Sequence, residues 1–538
     1  MRWWGWGVDG HDGPLPKAAA ALLRDELGAG GATLRPVELD RVELPGSQLP
    51  AGARERLAAI VGATCVLDDR VARITHAAGR SYPDLVRLRT GRGLNPPDAV
   101  VYPGTREQVA ALLAACAKDG IAVVPFGGGT SVVGGVEALR GSFDAVISVD
   151  LARLSALIAV DERSQLATFA AGTLGPELER LLATRGLTLG HFPQSFQFST
   201  VGGWAATRSA GQASTGYGRI DELVVSLRAA TPAGEIETRT VPATAAGPDL
   251  RELLVGSEGA LGIITDVTLR VRPQPRARRY EGWSLPSFAA GTEALRELEQ
   301  SGAAPDVSRL SDEEETRLTL ALASGSTGAR LLHSYLRARG RGSACMAILG
   351  FEGADSGRVN ARRARAKTIL RRHGALQLGP APGAAWLKGR YHGPYVRDEL
   401  LTRGVFVETL ETAATWTALQ DTHRAVGDAL RHAFAARGTP ARVMCHVSHL
   451  YPTGASLYFT FLARQEHGSE LEQWQAAKAA ACDAILASGA TITHHHAIGR
   501  DHVPWLSQEI GDLGVEALRA VKQRLDPAGI MNPGKLVP

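Results

Sequence analysis

The chain is poor in cysteine, and its few cysteines are not spaced like those of disulfide-rich or zinc-binding folds. Its 538 residues include five cysteines, and no two of them form a CxxC pair. An odd number of widely separated cysteines argues against a disulfide framework and against a zinc ribbon. It favours buried thiols in a reducing compartment.

Long apolar runs and a strong charge of one sign are also missing. No stretch approaches the roughly 20 apolar residues of a membrane span, and the chain opens with MRWWGWG, which does not resemble a signal peptide. We therefore expect a cytoplasmic protein. The formal net charge is only +4, so we expect no nucleic-acid partner. An apolar fraction of 44% and the length predict a globular protein of two or three lobes.

Glycine is abundant and is concentrated in turns between short apolar runs from about residue 95 to 275, which is typical of an α+β domain. The strongest local motif is PFGGGTSVVGG, which directly follows the strand-like IAVVPF. Consecutive glycines let a backbone approach a diphosphate closely and direct N–H groups at it. The motif is neither a GxGxxG fingerprint nor a P-loop. Taken alone, it is equally well explained as a tight structural turn.

Three consecutive histidines, His494, His495 and His496, follow small and β-branched residues in ASGATITHHHAIGR. An extended segment would place His494 and His496 on one face and His495 on the other. Two imidazoles on one face suit proton transfer or anion binding near neutral pH. Adjacent strand residues diverge and rarely close one tetrahedral shell, so we expect no metal here. An expression tag does not fit, because the run is short and internal.

Further glycine-containing segments accompany the GGGTS turn in a characteristic order. YPGTREQVAALLAAC precedes it, and QSFQFSTVGGWAATRSAGQ and GSEGALGIITDVTLRV follow it. Together they resemble the flavoprotein family of vanillyl-alcohol oxidase and p-cresol methylhydroxylase. The resemblance implies an α+β, two-lobed protein in which a PCMH-type FAD-binding domain is followed by a C-terminal α+β cap or substrate domain. The implied bounds are an N-terminal segment (1–94), the FAD domain (95–275), the cap (276–515) and a C-terminal return to the FAD domain (516–538).

The resemblance also implies that these segments wrap FAD. The cofactor is expected to be noncovalent, because Thr130 and Ser131 stand where covalently flavinylated members usually carry a histidine. The residues implied to line FAD are Pro125, Phe126, Gly127, Gly128, Gly129, Thr130, Ser131, Gln194, Ser195, Ser199, Thr200, Gly202, Gly203, Thr207, Ser209, Ala210, Glu258, Gly259, Leu261, Gly262, Ile263 and Ile264.

Within that family, the WWGWG, FSTVGGWAATRSAG, GSEGALGIIT and THHHAIG segments resemble the alkyldihydroxyacetonephosphate synthases. Such enzymes exchange the acyl group of an acyl-dihydroxyacetone phosphate for a fatty alcohol without net redox change. A base must remove a proton beside the ketone, a flavin must capture the carbon, and a carboxylate must leave. The implied partners are a lipid-like substrate, a second copy of the chain in a homodimer and, transiently, a membrane surface.

The same resemblance implies catalytic roles for Tyr458, the three histidines and Arg309, and substrate binding by Arg397. From the residues alone, a tyrosine such as Tyr458 in ASLYFTF is more commonly an ordinary half-buried strand tyrosine. A tyrosine takes part in proton transfer only if cations or hydrogen bonds lower its pKa. Arg309 and Arg397 suit the bidentate binding of carboxylate or phosphate. The alternative for both arginines is an ordinary surface salt bridge, which the two acidic residues that follow Arg397 favour for that residue.

Two other functional classes remain open. An FAD-linked D-2-hydroxy-acid dehydrogenase or oxidase would typically carry an EHGIG-like segment where this chain has HHHAIG. Many such enzymes also carry an HxGDGNxH-like strand, where this chain reads CHVSHLYPTGASLYF. His446 and His449 in that strand could bind a divalent ion, although two histidines fall short of a site. A redox-inert flavin-binding protein would most simply lack the tyrosine or the histidine run.

Overall fold

Three main β-sheets, of four, five and eight strands, organise the protein in the computed structural model. The structure describes residues 1–8, 10, 15, 17–29, 34–322 and 327–537. None of the helices within these ranges combines the length and the apolar character that crossing a bilayer requires.

The first sheet has the order β1-β2-β4-β3, and its strands β2, β4 and β3 run parallel. Its strand β3 reads IAVVPF and is almost wholly buried, as expected for a parallel strand covered on both faces. The glycine turn follows β3 at its carboxyl end, where open α/β sheets usually bind ligands. The elements up to this point are α1 (Lys17–Leu27), α2 (Ala51–Val61), β1 (Val66–Leu67), α3 (Arg70–Thr75), α4 (Tyr82–Thr90), β2 (Ala99–Val101), α5 (Arg106–Asp119), β3 (Ile121–Phe126) and β4 (Ala145–Asp150).

The second sheet is antiparallel, with the order β5-β6-β10-β8-β9. A short pair, β7 with β11, lies outside it. The helix α7 begins after Thr200, whose hydroxyl accepts a hydrogen bond from Gly203 N. The elements of this part are β5 (Leu157–Asp161), β6 (Leu166–Ala170), α6 (Gly175–Ala183), β7 (Leu187–Thr188), α7 (Val201–Ala206), α8 (Ser214–Tyr217), α9 (Ile220–Leu223), β8 (Val224–Thr231), β9 (Gly234–Glu237), α10 (Arg251–Leu254), β10 (Ile263–Arg270) and β11 (Arg272–Pro273).

The third sheet is antiparallel, with the order β15-β12-β14-β13-β17-β19-β16 and with β18 paired to β19. Helices α11, α14 and α17 pack on it with a large hydrophobic core. The elements of this part are β12 (Ala277–Leu285), α11 (Phe288–Gln300), β13 (Val307–Ser311), α12 (Glu313–Leu322), α13 (Thr327–Ala338), β14 (Cys345–Gly353), α14 (Ser356–Arg372), β15 (Leu376–Gly379), α15 (Pro380–Gly389), α16 (Gly393–Thr402), β16 (Val405–Thr415), α17 (Leu419–Ala436), β17 (Arg442–Val447), β18 (Leu450–Tyr451), β19 (Gly454–Arg464) and α18 (Glu470–Ala487).

The strand register of this sheet places four polar residues side by side. Ser311 pairs with His446, His446 pairs with Tyr458, and Tyr458 pairs with Glu411. Directly paired residues project from the same face of a sheet, so these side chains share one face. Phe459, the neighbour of Tyr458 in β19, is buried in the hydrophobic core on the other face.

The end of the chain returns to the first sheet after α19 (Leu506–Ile510) and α20 (Asp512–Leu525). Val123 of β3 donates its N–H to the carbonyl of Ile530, and Asn532 donates its N–H to the carbonyl of Val123. Ile530 and Met531 are fully buried in the core that surrounds the first two sheets. The last residues are therefore part of the packing behind the glycine turn.

Candidate active site

The three histidines lie in a loop, residues 491–499, and not in an extended strand. The carboxylate of Glu411 accepts hydrogen bonds from the backbone N–H groups of His494, His495 and His496 at 2.7, 2.9 and 2.8 Å. One carboxylate reaches three consecutive N–H groups only if the backbone curls around it, so the alternation of a strand does not apply. The prediction that His494 and His496 share a face is therefore wrong. Instead, the ring of His495 contacts both neighbours, with centroids 5.2 and 4.7 Å away.

Two other carboxylates hold the ends of this histidine loop. Glu509 of α19 accepts from the backbone N–H of Ile492 at 2.9 Å. Glu258 accepts from the backbone N–H groups of Ile498 and Gly499 at 2.9 and 2.7 Å. Since Glu411 lies on β16, three separate parts of the fold determine where the imidazoles point.

Tyr458 lies among imidazole rings. Its ring is 4.8 Å from that of His446, 6.0 Å from that of His495 and 5.7 Å from that of His496, measured between centroids. Burial raises the pKa of Tyr458 above its ordinary value. The phenol therefore carries its proton at neutral pH. Its side chain is hydrogen-bonded to Thr409, and the rings in contact with it include these imidazoles.

Burial keeps two imidazoles of the loop uncharged. It lowers the pKa of His494 well below its ordinary value and that of His496 to about 3. Burial alone would raise the pKa of Glu411, but its charge interaction and hydrogen bond with His495 hold that pKa well below the ordinary range. Glu411 is therefore an anion buried beneath the loop.

Arg309, His446 and Glu315 form a triangle beside Tyr458. Arg309 Nη2 donates to Glu315 Oε1 at 2.6 Å, and Arg309 Nη1 lies 3.2 Å from His446 Nε2. His446 Nδ1 lies 3.2 Å from the same carboxylate oxygen. A guanidinium can only donate, so Nε2 is the acceptor and Nδ1–H is the donor to Glu315. His446 is thus neutral, in agreement with its pKa, which burial and then the charge of Arg309 lower.

Arg397 does not form a salt bridge with either acidic residue that follows it, in the part of the chain that is described. Asp398 pairs with Arg89 at 3.2 Å instead. Arg397 Nη1 donates to the carbonyl of Arg80 at 2.8 Å, while its buried Nε has no partner among the described residues. Trp6 lies nearby, since its backbone N–H donates to Asp398. Its indole Nε1 is likewise buried without a partner among the described residues. Buried donors without a protein acceptor point to a ligand or to water.

The glycine turn after β3 is packed so tightly that side chains would not fit. A Cβ on Gly128 would lie 1.7 Å from the carbonyl oxygen of Phe198, and a Cβ on Gly127 would lie 2.4 Å from Thr200 Oγ1. The backbone N–H groups of Gly128, Gly129 and Thr130 donate to no other group within the described ranges. Bare backbone with free donors at the end of a parallel strand is the arrangement that a diphosphate requires. The turn therefore fits the diphosphate of FAD.

The other residues predicted to line FAD come from segments that meet at this turn. The loop from Gln194 to Thr200 lies against it through Phe198, and Gly259 lies against Pro125, where a Cβ would be 2.7 Å from Cγ. The remaining predicted residues lie in the Gln194 loop (Ser195, Ser199), in α7 and the turn after it (Gly202, Gly203, Thr207, Ser209, Ala210), at the end of β3 (Phe126), in the Gly-rich turn (Ser131), between α10 and β10 (Glu258, Leu261, Gly262) and at the start of β10 (Ile263, Ile264).

Several of these side chains already have partners inside the protein. Ser199 Oγ accepts from Trp204 Nε1 at 2.7 Å. The side chains of Leu261, Ile263 and Ile264 are buried in the hydrophobic core. Only the backbone of these three residues is therefore available to a cofactor.

Sequence reasoning missed Glu411 and His191. Glu411 looks like any strand glutamate in ETLETAAT and lies more than 80 residues before the loop that it holds. His191 is fully buried, its Nε2 lies 3.2 Å from Ser209 Oγ, and its Nδ1 has no partner among the described residues. Burial lowers its pKa to about 3. Its sequence context, GHFPQ, carries no recognisable signal.

His449 joins the histidine loop, whereas His446 does not. Nitrogen atoms of His449, His494 and His495 lie within 4.8 Å of one another, which is a group that could hold a metal ion. His494 Nε2 is also 2.5 Å from the hydroxyl of Tyr451. The argument that neighbouring histidines diverge assumed a strand, and the curled loop removes that assumption.

Glu258 gives the protein a pH-dependent stability that can be measured. Burial raises the pKa of its carboxyl from 4.5 to about 7, although the N–H groups of Gly499 and Ile498 oppose this rise. A carboxyl with a raised folded-state pKa adds stability below its unfolded pKa and loses it as the pH rises through the folded one. We expect the free energy of unfolding to fall by about 3 kcal/mol more in the parent than in Glu258→Gln between pH 4.5 and pH 8. Urea unfolding of both proteins at both pH values checks this, and parallel pH profiles would contradict it.

Comparison with known proteins agrees with this geometry. The FAD binding domain family matches residues 97–239, and the family described as FAD linked oxidases, C-terminal domain, matches residues 274–536. The predicted α+β fold with an FAD domain and a following second domain is confirmed, and so is FAD as the cofactor. The solved p-cresol methylhydroxylase shares the fold, with 14% identity, a TM-score of 0.68 and coverage of 92% of this chain and 98% of that one.

Alkyldihydroxyacetonephosphate synthases match nearly the whole chain. The alkyldihydroxyacetonephosphate synthase of Dictyostelium discoideum is 36% identical over 98% of this chain and 88% of its own length. A solved alkyldihydroxyacetonephosphate synthase superposes with a TM-score of 0.86 at 32% identity, covering 100% of this chain and 99% of that one. Glycolate oxidase subunit GlcD of Bacillus subtilis is only 24% identical over 82% of this chain and 89% of its own length. Its name fits the hydroxy-acid alternative. The chain therefore belongs to the alkyldihydroxyacetonephosphate synthase family of FAD-dependent enzymes.

Proposed function

We propose that this protein exchanges the fatty acyl group of an acyl-dihydroxyacetone phosphate for a fatty alcohol, forming an ether bond. The bond from C1 to the carboxylate oxygen breaks, the bond from C1 to the alcohol oxygen forms, and a fatty acid leaves, so there is no net redox change. The observation that carries the proposal is Tyr458, enclosed by the imidazoles of His446, His495 and His496, on a fold whose glycine turn fits FAD.

When bound, FAD would supply the reactive ring chemistry for exchanging one oxygen substituent of the substrate carbon for another. FAD is proposed to bind without a covalent bond, held by the free backbone N–H groups of the turn from Gly127 to Ser131 and by the segments packed against that turn. Glu258 connects these segments to the histidine loop, since its carboxylate holds Ile498 and Gly499. Cofactor and imidazoles are thereby kept in one arrangement.

The protein groups proposed to move protons are Tyr458 and the histidine loop. The substrate must lose a proton from the carbon beside its ketone. Tyr458 can accept it only if its own proton passes to an imidazole, because burial disfavours a lone phenolate. His495 and His496 are in ring contact with Tyr458, and their side chains are 15% and 13% exposed, so a ligand can reach them.

The substrate's phosphate needs cationic donors, and two arginines are proposed to supply them. Arg309 is 31% exposed in its side chain and is held by Glu315 and His446 through its two terminal nitrogens, which leaves its remaining N–H groups to bind phosphate. Arg397 keeps a buried Nε without a partner among the described residues. Guanidinium groups bind phosphate through paired hydrogen bonds.

The deciding experiment is incubation of the FAD-loaded protein with palmitoyl-dihydroxyacetone phosphate and hexadecanol. We expect an ether product that requires both substrates, with palmitate released in equal amount. Anaerobic mixing with D-lactate or D-2-hydroxyglutarate should leave the flavin spectrum unchanged. Bleaching of the flavin together with absence of ether would support the hydroxy-acid dehydrogenase instead.

A lipid substrate must be taken from a membrane, and α13 is proposed to contact that surface. Leu331 and Tyr335 lie one turn apart on its solvent-facing side and are 67% and 43% exposed. The exposed Arg330 and Arg337 flank them. A basic helix with exposed apolar side chains suits an anionic lipid surface.

We expect the double substitution Leu331→Ser, Tyr335→Ser to weaken binding to vesicles of phosphatidylglycerol and phosphatidylcholine at least about fivefold, because both apolar contacts are lost. Vesicle co-sedimentation measures the effect. Leu513→Ser is the matched control, since Leu513 is 77% exposed on α20 beside acidic residues. Equal losses in the two variants would contradict a role for α13.

The remaining finer assignments are proposals of the same kind. They are the four-part division at residues 94, 275 and 515, a homodimer, and a cytoplasmic location with peripheral membrane contact. The hydrogen bonds between Val123 and residues 530 and 532 support a C-terminal segment that belongs to the FAD domain. Light scattering after size-exclusion chromatography tests the dimer.

A further inference from the structure

The N-terminal segment, residues 1–7, lies beside the glycine turn and is held there by Arg80. The Arg80 guanidinium donates to the backbone carbonyls of Arg2 and Gly5 at 2.8 and 3.1 Å. The backbone N–H of Arg80 donates to the carbonyl of Ser131, at the end of the turn, at 2.6 Å. One residue therefore joins the start of the chain to the region in which FAD is proposed to bind.

Trp6 brings an unused hydrogen-bond donor to the same region. Its ring meets that of Phe198 edge to face, with centroids 5.4 Å apart, and the carbonyl of Phe198 faces Gly128 of the turn. Its backbone N–H donates to Asp398, the residue after Arg397. The indole Nε1 and the Nε of Arg397 are both buried without a partner among the described residues. Two donors without an acceptor thus lie between the N-terminal segment and the turn.

Arg80 is also a buried cation without a carboxylate partner. It is 2% exposed, and although burial lowers its pKa to about 10 it stays charged at neutral pH. The carboxylates whose charges act on it are Asp398 and Asp84, but Asp398 pairs with Arg89 at 3.2 Å and Asp84 caps α4. Arg397, whose charge also acts on Arg80, has no carboxylate within salt-bridge distance in the described part of the chain. Buried charges are normally paired, so an anion is missing here.

We infer that Trp6, Arg80 and Arg397 belong to one phosphate-binding site beside the glycine turn. The indole N–H of Trp6 and the guanidinium of Arg397 donate to the phosphate. Arg80 is a positioning residue, because its own N–H groups are taken by four backbone carbonyls. It holds the N-terminal segment in place and contributes its charge.

The phosphate belongs either to the diphosphate of FAD or to the substrate. The second case rests on the proposed function, whereas the first requires only the cofactor. Both present the same chemistry, namely phosphate oxygens that accept hydrogen bonds and carry negative charge. The experiment must therefore measure the two ligands separately.

Trp6→Phe is the test variant. It keeps an aromatic ring for the contact with Phe198 and removes the N–H, and no hydrogen bond inside the protein is lost, because Nε1 has no partner there. Trp505→Phe is the matched control, since the indole of Trp505 already donates to Asp483 at 2.7 Å. A hydrogen bond to a charged group corresponds to about a ten- to hundredfold change in affinity.

The test uses the FAD-loaded full chain and needs no turnover. The first arm measures the dissociation constant of FAD from the rise of flavin fluorescence when the protein is diluted. The second arm measures the binding of dihydroxyacetone phosphate by titration calorimetry, with FAD kept in excess. Urea unfolding of each variant reports its stability.

For Trp6→Phe we expect one of the two affinities to fall about ten- to a hundredfold while the other stays within about twofold. A loss for FAD assigns the site to the diphosphate, and a loss for dihydroxyacetone phosphate assigns it to the substrate. Two unchanged affinities overturn the inference. So does an equal loss in both arms or in Trp505→Phe, because loosened packing would give that result.

If the parent binds no dihydroxyacetone phosphate, only the diphosphate remains, and an unchanged FAD affinity in Trp6→Phe then overturns the inference. Failure of the proposed function is a separate result, because the parent would form no ether whatever the two affinities show.

The charge of Arg80 is tested with Arg80→Lys and Arg80→Gln. Both variants lose most of the contacts with the four carbonyls, but only the lysine keeps a positive charge. We expect the affinity for the assigned ligand to stay within about fivefold of the parent in Arg80→Lys and to fall at least about tenfold in Arg80→Gln. Equal losses in the two variants would overturn the role of the charge. If neither variant folds, Trp6→Phe decides alone.

Discussion

Replacing Tyr458 with phenylalanine is expected to stop ether formation while FAD stays bound. The substitution removes the hydroxyl of a ring that contacts three imidazoles and leaves the aromatic contacts with His446, His495 and His496 in place. General acid–base groups typically contribute about 10²- to 10⁴-fold to a rate, so we expect kcat to fall by at least a hundredfold. Steady-state kinetics with palmitoyl-dihydroxyacetone phosphate and hexadecanol measure the loss. The flavin absorption of the purified variant reports the bound cofactor.

Tyr280→Phe is the matched control for that experiment. Tyr280 lies on β12 of the same sheet, and its hydroxyl donates to Glu352 Oε1 at 2.7 Å, away from the histidine loop. Its removal costs one hydrogen bond, about 1 kcal/mol of stability, and is expected to leave kcat nearly unchanged. Turnover of Tyr458→Phe within a few fold of the parent would remove Tyr458 from the proton-transfer path and leave the histidines to act alone.

Replacing Gly128 with alanine is expected to give protein that does not bind FAD. The new Cβ would stand 1.7 Å from the carbonyl oxygen of Phe198, which is backbone and cannot rotate away. The turn must therefore separate from the Gln194–Thr200 loop, and the free N–H groups of Gly128, Gly129 and Thr130 lose their common direction. Overpacking of this kind also costs about 1–3 kcal/mol or more. The ratio of flavin absorption to protein absorption measures occupancy, and urea unfolding measures stability.

Gly46→Ala provides the comparison for this substitution. A Cβ at Gly46 would meet nothing within 4 Å, and its φ is not in the left-handed region. That variant should bind FAD like the parent. If Gly128→Ala bound as much FAD as the parent and were as stable, the glycine turn would have a structural role only, and the diphosphate would have to bind elsewhere.

The predictions from local sequence succeeded where a structural feature is formed by residues that are neighbours in the chain. IAVVPF is a buried parallel strand, and the glycines after it form a turn with free N–H groups, because strand propensity and the lack of side chains are properties of the segment itself. The family resemblance covers the whole chain and correctly implied FAD and the two-part fold. It also implied an arrangement around Tyr458 that the sequence alone could not distinguish from an ordinary strand tyrosine.

The histidine run shows where local reasoning ends. Its small and β-branched neighbours favour an extended segment, and alternation would then separate His495 from the other two. The buried carboxylate of Glu411 instead gathers three successive N–H groups and curls the backbone. The free energy of those hydrogen bonds outweighs a propensity that amounts to a fraction of a kcal/mol per residue. The partner lies 83 residues away in the sequence from His494, so no local pattern announces it.

The sequence by itself determined the FAD cofactor and the family, and it supplied the glycine turn, Tyr458, the histidine run and two arginines as candidate site residues. Tertiary structure alone decided how those groups meet. It pairs Tyr458 with Glu411 across two strands, frees Arg397 from its acidic neighbours, and closes the triangle of Arg309, His446 and Glu315. The type of a residue limits which proton or charge its side chain can carry. Burial and the distance to other charges, which the tertiary structure sets, decide whether the side chain carries that proton or charge.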